Sequence, residues 1–112
     1  MPSKFLVTRR PADSYVYALT ARNGETILHS DAGHGSVESA TSSIERLREA
    51  VARPEAIEVR RSLGGHWYFL VRDGEHVLGR SRPYPWRSRL DKAMVAVRQC
   101  APASRIEVDP LD

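Results

Sequence analysis

The chain carries the same sequence pattern twice. The aromatic-rich segment Tyr15–Leu19 precedes an Asn-Gly-Glu turn at 23–25, and the segment Trp67–Val71 precedes an Asp-Gly-Glu turn at 73–75. Each turn is followed by a second apolar stretch and then by residues with helical periodicity. Self-similarity at a spacing of about fifty residues indicates one structural unit present in two copies. This repeat constrains the fold more than any other feature of the sequence.

The two copies can be aligned residue by residue. Before the turns the spacing is 52 residues, as from Phe5 to Ile57, and after the turns it is 50, as from Ile44 to Met94. The loss of two residues keeps every side chain on its original sheet face, because side chains alternate from one face to the other along a strand. A short apolar-x-apolar segment occurs three times, at 5–7, 57–59 and 106–108.

Each copy is predicted to begin with a hairpin. The dipeptides Asn23-Gly24 and Asp73-Gly74 favour two-residue turns, since their residues tolerate the positive φ angles that such turns need. In that register Arg22 lies opposite Glu25, with an equivalent pair in the second copy. We therefore expect a cross-strand ion pair beside each turn.

A helix is predicted after each hairpin. Ser36 is a candidate N-cap of the first helix, which ends before Pro54, and Ser88 with Asp91 suggests a capping box for the second, which ends at Pro102. Each helix has a single apolar stripe, so both are expected to lie on the sheet with their charged sides in water. The stripes consist of residues 37, 40, 44, 47 and 51 in the first helix and residues 90, 93, 94 and 97 in the second.

The second face of the predicted sheet is less polar than a solvated face should be. An antiparallel sheet with one side in water normally alternates between apolar and polar residues. We therefore expect part of this face to be covered, either by a helix or by another chain. The face would carry Val16, Ala18 and Ile27 in the first copy and Tyr68, Leu70 and Val77 in the second.

Length and composition limit the class of protein. A chain of 112 residues with 41% hydrophobic residues can form a single core. No apolar run approaches the roughly 20 residues that cross a bilayer, and the N-terminal segment has no secretory h-region. The single Cys100 cannot form an intramolecular disulfide, which agrees with a reducing compartment. We expect a cytoplasmic protein without a membrane partner.

The combination of these motifs is specific because it occurs twice. It comprises an aromatic-x-aromatic strand, an Asn-Gly-Glu or Asp-Gly-Glu turn, an apolar strand and a helix with paired apolar residues, here Ile44 with Leu47 and Met94 with Val97. From about Phe5 onward, nearly the whole chain resembles the YegP-like tandem-repeat family of small bacterial proteins. The resemblance implies a duplicated β(3)-α-β unit that forms one sheet, with terminal strands exchanged across a pseudo-two-fold axis. It implies no particular biochemical activity.

Residues that could support catalysis or metal binding do not form a recognisable pattern. The four histidines, at 29, 34, 66 and 76, include no closely spaced pair, and no cysteine or carboxylate cluster completes a ligand set. Cys100 corresponds to Ala50 in the first copy, which favours a packed small residue over a nucleophile. No nucleophile elbow is present. We predict a non-enzymatic protein with no catalytic residue, metal or cofactor.

The segment 80–89, called here the basic segment, is the one specialised stretch. Its counterpart at 30–39 has no arginine and no aromatic residue. Interleaved arginine and aromatic side chains can bind single-stranded nucleic acid. The favoured interpretation is structural, with Trp86 closing the helix entrance and the arginines in water, because a net charge of +3 is low and no RNA-binding signature occurs. The candidate partner-binding residues are Arg80, Arg82, Tyr84, Trp86, Arg87 and Arg89.

These observations predict an α+β fold in which a single antiparallel sheet carries two helices. Residues 1–112 are predicted to form one domain made of two repeats, about 5–56 and 57–108. The predicted function is an interaction or assembly module that uses the second sheet face or the edge strands, with a homodimer as the favoured assembly. The alternative is a weak nucleic-acid-binding protein that uses the basic segment.

Overall fold

The computed structural model describes residues 2–109, which form seven strands and two α-helices. Short 3-10 turns lie at Pro11–Asp13 and Pro54–Ala56. The elements are β1 (Lys4–Arg10), β2 (Ser14–Thr20), β3 (Thr26–His29), α1 (Val37–Ala50), β4 (Ile57–Arg61), β5 (Trp67–Asp73), β6 (His76–Arg80), α2 (Arg87–Cys100) and β7 (Arg105–Val108).

The strands form one sheet in the order β4-β5-β6-β3-β2-β1-β7. Neighbouring strands are antiparallel except for β1 and β7, which run parallel with Phe5 opposite Ile106. The sheet is therefore mixed, and the prediction of an antiparallel sheet is wrong in this respect. A tight hairpin forces its strands to be antiparallel, whereas β7 is reached through α2, and a helical crossover permits a parallel pair.

The two halves of the sheet meet where β3 lies beside β6. This junction has one paired position, with His29 opposite Arg80. Strand β4 follows α1 along the chain but pairs with β5, in the second half. Strand β7 follows α2 but pairs with β1, in the first half. Strand β4 therefore extends the second half of the sheet although it follows the helix of the first half. Strand β7 extends the first half although it follows the helix of the second.

Both helices pack on the same face of the sheet and share one hydrophobic core. The aromatic rings of Phe5 and Tyr17 meet edge to face within it, with centroids 6.4 Å apart. The other face of the sheet, called here the open face, carries no helix within residues 2–109. The largest fully buried core side chains are those of Phe5, Val7, Tyr17, Leu19, Leu28, Ile44, Leu47, Val51, Phe69, Val71, Leu90 and Val97.

Each helix donates an arginine side chain to a carbonyl near the end of the other. Arg98 of α2 donates to the carbonyl of Val51, the C-cap of α1, at 2.6 Å. Arg48 of α1 donates to the carbonyl of Ser104, shortly after α2. Cations at helix C-termini are favourable because the last carbonyls lack helical partners. These contacts hold the two helices together over the sheet.

Bulges change the face on which one predicted residue lies. The register shifts between Leu19 and Thr20, and again between Val71 and Arg72 in the second half. A bulge adds one residue to a strand and interrupts the alternation of faces. Ile27 was predicted on the open face, but it lies in the core and is only 5% exposed. The sequence pattern alone does not reveal this extra residue.

The first hairpin turn is one residue longer than predicted, and the second has the predicted two residues but is displaced by one position. In the first, Gly24 donates to the carbonyl of Ala21 at 2.9 Å, and Ala21 donates to the carbonyl of Glu25 at 2.8 Å. Gly24 has φ of +85°, so the turn is a three-residue loop with its last residue in the left-handed region. The second turn is centred on Gly74 and Glu75.

The predicted ion pairs beside the turns are wrong for the same reason. Because the turns are displaced, Glu25 lies 3.6 Å from Arg82 of the second half. Arg72 lies opposite Val77 and pairs instead with Glu58 on the neighbouring strand, at 3.0 Å. These charges therefore connect separate strands and loops, and they do not mark the turns.

One predicted helix cap is confirmed and the other is wrong. Ser36 is the N-cap of α1, and its hydroxyl accepts a hydrogen bond from the amide of Ser39 at 3.0 Å. Helix α2 begins after Trp86, which has no side-chain cap, so Ser88 lies inside the helix. Because Ser88 is not the N-cap, Asp91 cannot complete a capping box with it, and Asp91 instead forms an ion pair with Arg87 at 2.9 Å.

Two buried serines provide a direct test of how alike the halves are. Ser30 accepts a hydrogen bond from the amide of Tyr17 at 3.1 Å, and Ser81 accepts one from the amide of Phe69 at 3.0 Å. We expect Ser30→Ala and Ser81→Ala each to lower the free energy of unfolding by about 1–3 kcal/mol, because a buried amide then loses its acceptor. Urea denaturation measures both, with the exposed helical variant Ser42→Ala as control. A large loss for one and none for the other would contradict the equivalence.

Candidate interaction surface

The structure divides the six candidate residues of the basic segment among three places. Arg80 lies on the open face, since it is paired with Leu70. Arg82, Tyr84 and Arg89 lie near the turn that contains Glu25. Trp86 and Arg87 lie at the start of α2, where Arg87 contacts the ring of Trp67. The segment therefore does not form one continuous surface.

Arg80 is held by two neighbours on the open face. Its guanidinium carbon lies 5.5 Å from the ring centroid of Tyr68, a cation–π distance. Its Nε donates to the carboxylate of Asp31 at 3.2 Å. An ion pair already satisfies part of its charge, so Arg80 is less available to an anionic partner than the sequence indicates.

Tyr84 is part of the core, although it was predicted as a stacking residue. The side chain is 6% exposed, and backbone hydrogen bonds of 2.7 Å in both directions join Tyr84 to Trp67. Burial raises the pKa of the Tyr84 hydroxyl, and the nearby carboxylate of Glu25 raises it further. A base cannot stack on a ring that lies against the protein interior.

Two arginine side chains contact one half-buried tryptophan of the second half. The ring of Trp67 lies between two guanidinium groups, with the Cζ of Arg61 5.0 Å and the Cζ of Arg87 5.4 Å from its centroid. Leu63, at the tip of the β4–β5 turn, is fully exposed, and Trp86 is 61% exposed. We call these five residues the tryptophan cluster. Buried or half-buried tryptophan and arginine dominate the energetics of many protein interfaces.

Only part of this cluster is predicted from the sequence. Trp86 and Arg87 are among the predicted partner-binding residues, whereas Arg61, Leu63 and Trp67 are not. Trp67 alternates with the buried Phe69 and Val71 along β5, and it packs against the core. Leu63 stands beside Gly64 and Gly65 in a turn, and a large apolar residue at a turn tip is a signal that could have been noticed. Because residues 61 and 87 lie far apart in the chain, no local sequence pattern indicates that both contact Trp67.

The open face has an apolar centre bordered by ion pairs. Leu70 is 2% exposed although it lies outside the main core, and its cross-strand neighbours are Glu58 and Arg80. Glu58 bonds Arg60 on its own strand and Arg72 on the next. The hydrogen bond from Arg60 is the main reason that the pKa of Glu58 lies below its usual value.

This carboxylate predicts a pH dependence of stability. A lowered folded pKa means that Glu58 stabilises the protein above its unfolded pKa, about 4.3, and that this contribution disappears as the pH falls through the lower folded value. We expect Glu58→Gln to lose less stability than the natural chain between pH 5 and the folded pKa. Thermal denaturation across this range measures the difference, with the exposed Glu49→Gln as control. Parallel curves for Glu58→Gln and the natural chain would contradict the prediction.

Other site types have little support in the described part of the chain. Residues 2–109 contain no group of three His, Cys, Asp or Glu side chains placed to hold a metal ion. None of their helices has both the length and the apolar character needed to cross a membrane. The pKa of Tyr17 is raised by burial, but its hydroxyl is engaged with Ser43 and the carbonyl of Leu78.

Comparison with known proteins identifies similar chains. The chain is 27% identical over 103 residues to UPF0339 protein PA0329 of Pseudomonas aeruginosa, covering 91% of this chain and 93% of that protein. No protein-family model matches the chain. The alignment therefore spans nearly the full length of both chains.

Two solution NMR structures have the same fold. One is yegP of E. coli, a protein of unknown function, with a TM-score of 0.89, 23% identity, and coverage of 97% of this chain and 94% of that one. The other is UPF0339 protein SO3888 of Shewanella oneidensis, with a TM-score of 0.88, 19% identity, and coverage of 96% and 92%. The resemblance to YegP-like proteins is confirmed for the α+β fold, a seven-stranded sheet with two helices.

Proposed function

We propose that the chain belongs to the same family as these proteins and arose by tandem duplication of a β(3)-α-β unit. Matching contacts in the two halves support this origin. The serines that bond Tyr17 and Phe69 are one example, and the arginines that join the helices are another. Under this proposal, β4 and β7 are the exchanged terminal strands of the two copies.

We propose that the protein is a non-enzymatic interaction module that assembles with a second copy of itself. The observation that carries the proposal is the tryptophan cluster at the end of the edge strand β4. Leu63 and Trp86 expose apolar surface there, and an interface would remove that surface from water. The proposed place of action is the cytoplasm.

The charges of β4 favour a second copy as the partner. If two β4 strands pair antiparallel about Val59, Glu58 of each copy lies opposite Arg60 of the other. Opposite charges at facing positions stabilise a strand pair. Such an interface is self-complementary, as a two-fold dimer requires. It also brings Ile57 and Val59, which are partly buried in one copy, under further cover.

Amide hydrogen exchange, measured at high and at low protein concentration, tests which surface forms the interface between two copies. The proposal predicts that amides of 57–63 exchange more slowly at high protein concentration than at low concentration. Leu63→Ser combined with Trp86→Ser is expected to remove that difference, because the apolar contact is lost. The control is Val95→Ser, which changes another exposed apolar residue, 53% exposed, on α2. Concentration-dependent protection confined to other strands would contradict the proposed interface.

Weak nucleic-acid binding is the second candidate function. The specific observation in its favour is that the side chain of Trp86 is 61% exposed, so an aromatic face is available for a base to stack on. Fluorescence anisotropy with a mixed oligonucleotide pool would show binding that weakens as salt increases. Arg87→Ala with Arg89→Ala should weaken it further. Binding unaffected by these changes would remove this candidate.

A further inference from the structure

The two halves of the sheet end differently. The first half has β7 outside β1, whereas the second half ends at β4. Strand β4 is the counterpart of β1, because Ile57 faces Val71 on β5 as Phe5 faces Leu19 on β2. Within residues 2–109, no strand occupies the position beside β4 that β7 occupies beside β1. We call this position the β4 edge.

The apolar side chains of β4 are less buried than those of β1. Phe5 and Val7 are fully buried, whereas their counterparts Ile57 and Val59 are only partly buried. On the first half, Ile106 of β7 faces Phe5 and packs against the core. A strand at the β4 edge would cover Ile57 and Val59 in the same way, and removing this apolar surface from water is favourable.

The backbone of β4 presents hydrogen-bonding groups at this edge. On β1, the carbonyl of Val7 points away from β2 and accepts a hydrogen bond from the amide of Asp109 at 2.8 Å. Val59 has the matching place in β4, so its amide and carbonyl point away from β5. The amide of Ile57 already donates to the carbonyl of Pro54. Strand addition at this edge therefore centres on Val59.

The charges on β4 determine which segment fits. In the register of β7 on β1, Leu6 faces Glu107. The counterpart of Leu6 is Glu58, so a copy of β7 at the β4 edge would place glutamate opposite glutamate, which is unfavourable. A basic residue at that place faces Glu58, and an acidic residue two places later faces Arg60. Arg60 already bonds Glu58, and its five N–H donors allow a second carboxylate.

We propose that the β4 edge binds an extended segment of another protein as an added strand parallel to β4. The segment has the pattern apolar, basic, apolar, acidic, and it lies on β4 as β7 lies on β1. This inference goes beyond the proposed self-assembly but uses the same strand, so a bound segment excludes the pairing of two β4 strands. A single chain suffices to bind the segment, and either proposal can therefore fail without the other.

A peptide of residues 103–109 with blocked ends and the change Glu107→Lys is the probe, and the unchanged sequence is the control. We expect the probe, at about 1 mM, to shift the amide NMR signals of 57–61, and the control to bind about fivefold more weakly. A nitroxide at the N-terminus of the probe should broaden the signal of Ile57 more than that of Arg61, because the strands run parallel. No shifts in 57–61, equal binding of both peptides or the reverse order of broadening would overturn the proposal.

Methylation of single amides in the probe tests the backbone pairing without any change to the protein. A methyl group on the amide of Asp109 removes the hydrogen bond to the carbonyl of Val59 and should weaken binding about tenfold. The amide of Val108 is the matched control, because successive amides along a strand point to opposite edges and this one faces water. Equal affinity of the two methylated peptides would contradict the pairing.

The variant with Leu63→Ser and Trp86→Ser separates this inference from the proposed self-assembly. Both changes lie outside 57–61, so the variant should bind the probe at least as tightly as the natural chain, although it no longer associates with a second copy. Loss of probe binding in this variant would assign the peptide to the tryptophan cluster and would overturn its placement at the β4 edge.

Discussion

Replacing Phe69 with alanine is expected to lower the free energy of unfolding by about 3–5 kcal/mol. Phe69 is fully buried on β5, the strand that contacts both helices and lies between β4 and β6. Removing the ring leaves a cavity that the rigid sheet cannot collapse to fill. A domain of this size has a total stability of about 5–15 kcal/mol, so this single change removes a large part of it.

Chemical denaturation of Phe69→Ala measures this loss, and Trp86→Ala is the matched control. Trp86 is an aromatic residue of the same half but is 61% exposed, so its replacement should change the stability by about 0.5 kcal/mol or less. Similar losses for both variants would show that burial in the described core does not determine the stability of the second half.

Gly79→Val is expected to destabilise the protein by about 1–3 kcal/mol. A Cβ atom at Gly79 would lie 3.0 Å from the Cγ and Cδ2 atoms of Leu28, which is closer than carbon atoms approach without displacement. Leu28 belongs to β3 and Gly79 to β6, so the clash falls at the junction of the two halves. The junction has a single paired position, and few other contacts can hold it in register.

A second substitution should restore part of this loss. Leu28→Ala removes the opposing atoms, so the double variant is expected to be more stable than the sum of the two single losses by about 0.5–3 kcal/mol. Gly35→Val is the control, because a Cβ at Gly35 meets no atom within 4 Å. Strict additivity of the Leu28 and Gly79 changes would show that the two residues do not touch in solution.

The repeat predicts most of the architecture because its residues report on local structure. Tyr17 and Phe69 mark buried strand positions, and Ser36 marks the start of α1. Strand direction is a different matter, since the segment 106–108 has the same composition whether it pairs parallel or antiparallel. The direction of β7 relative to β1 depends on where α2 places the chain, and the pattern of apolar residues does not specify that position.

The candidate surface is less predictable because it depends on residues far apart in the chain. The segment 80–89 is continuous in sequence, but β6, a loop and α2 direct its side chains to different places. Trp67 brings Arg61 and Arg87 together, and no local pattern predicts such a meeting.

Static light scattering across a range of protein concentrations, at low and high salt, tests the proposed self-assembly most directly. The proposal predicts a mass that rises toward twice the chain mass of 12.6 kDa. That rise should persist at high salt, since apolar burial is not screened, and should be absent in the variant with Leu63→Ser and Trp86→Ser. A mass that stays at one chain throughout, or that rises only when oligonucleotides are added at low salt, would contradict it.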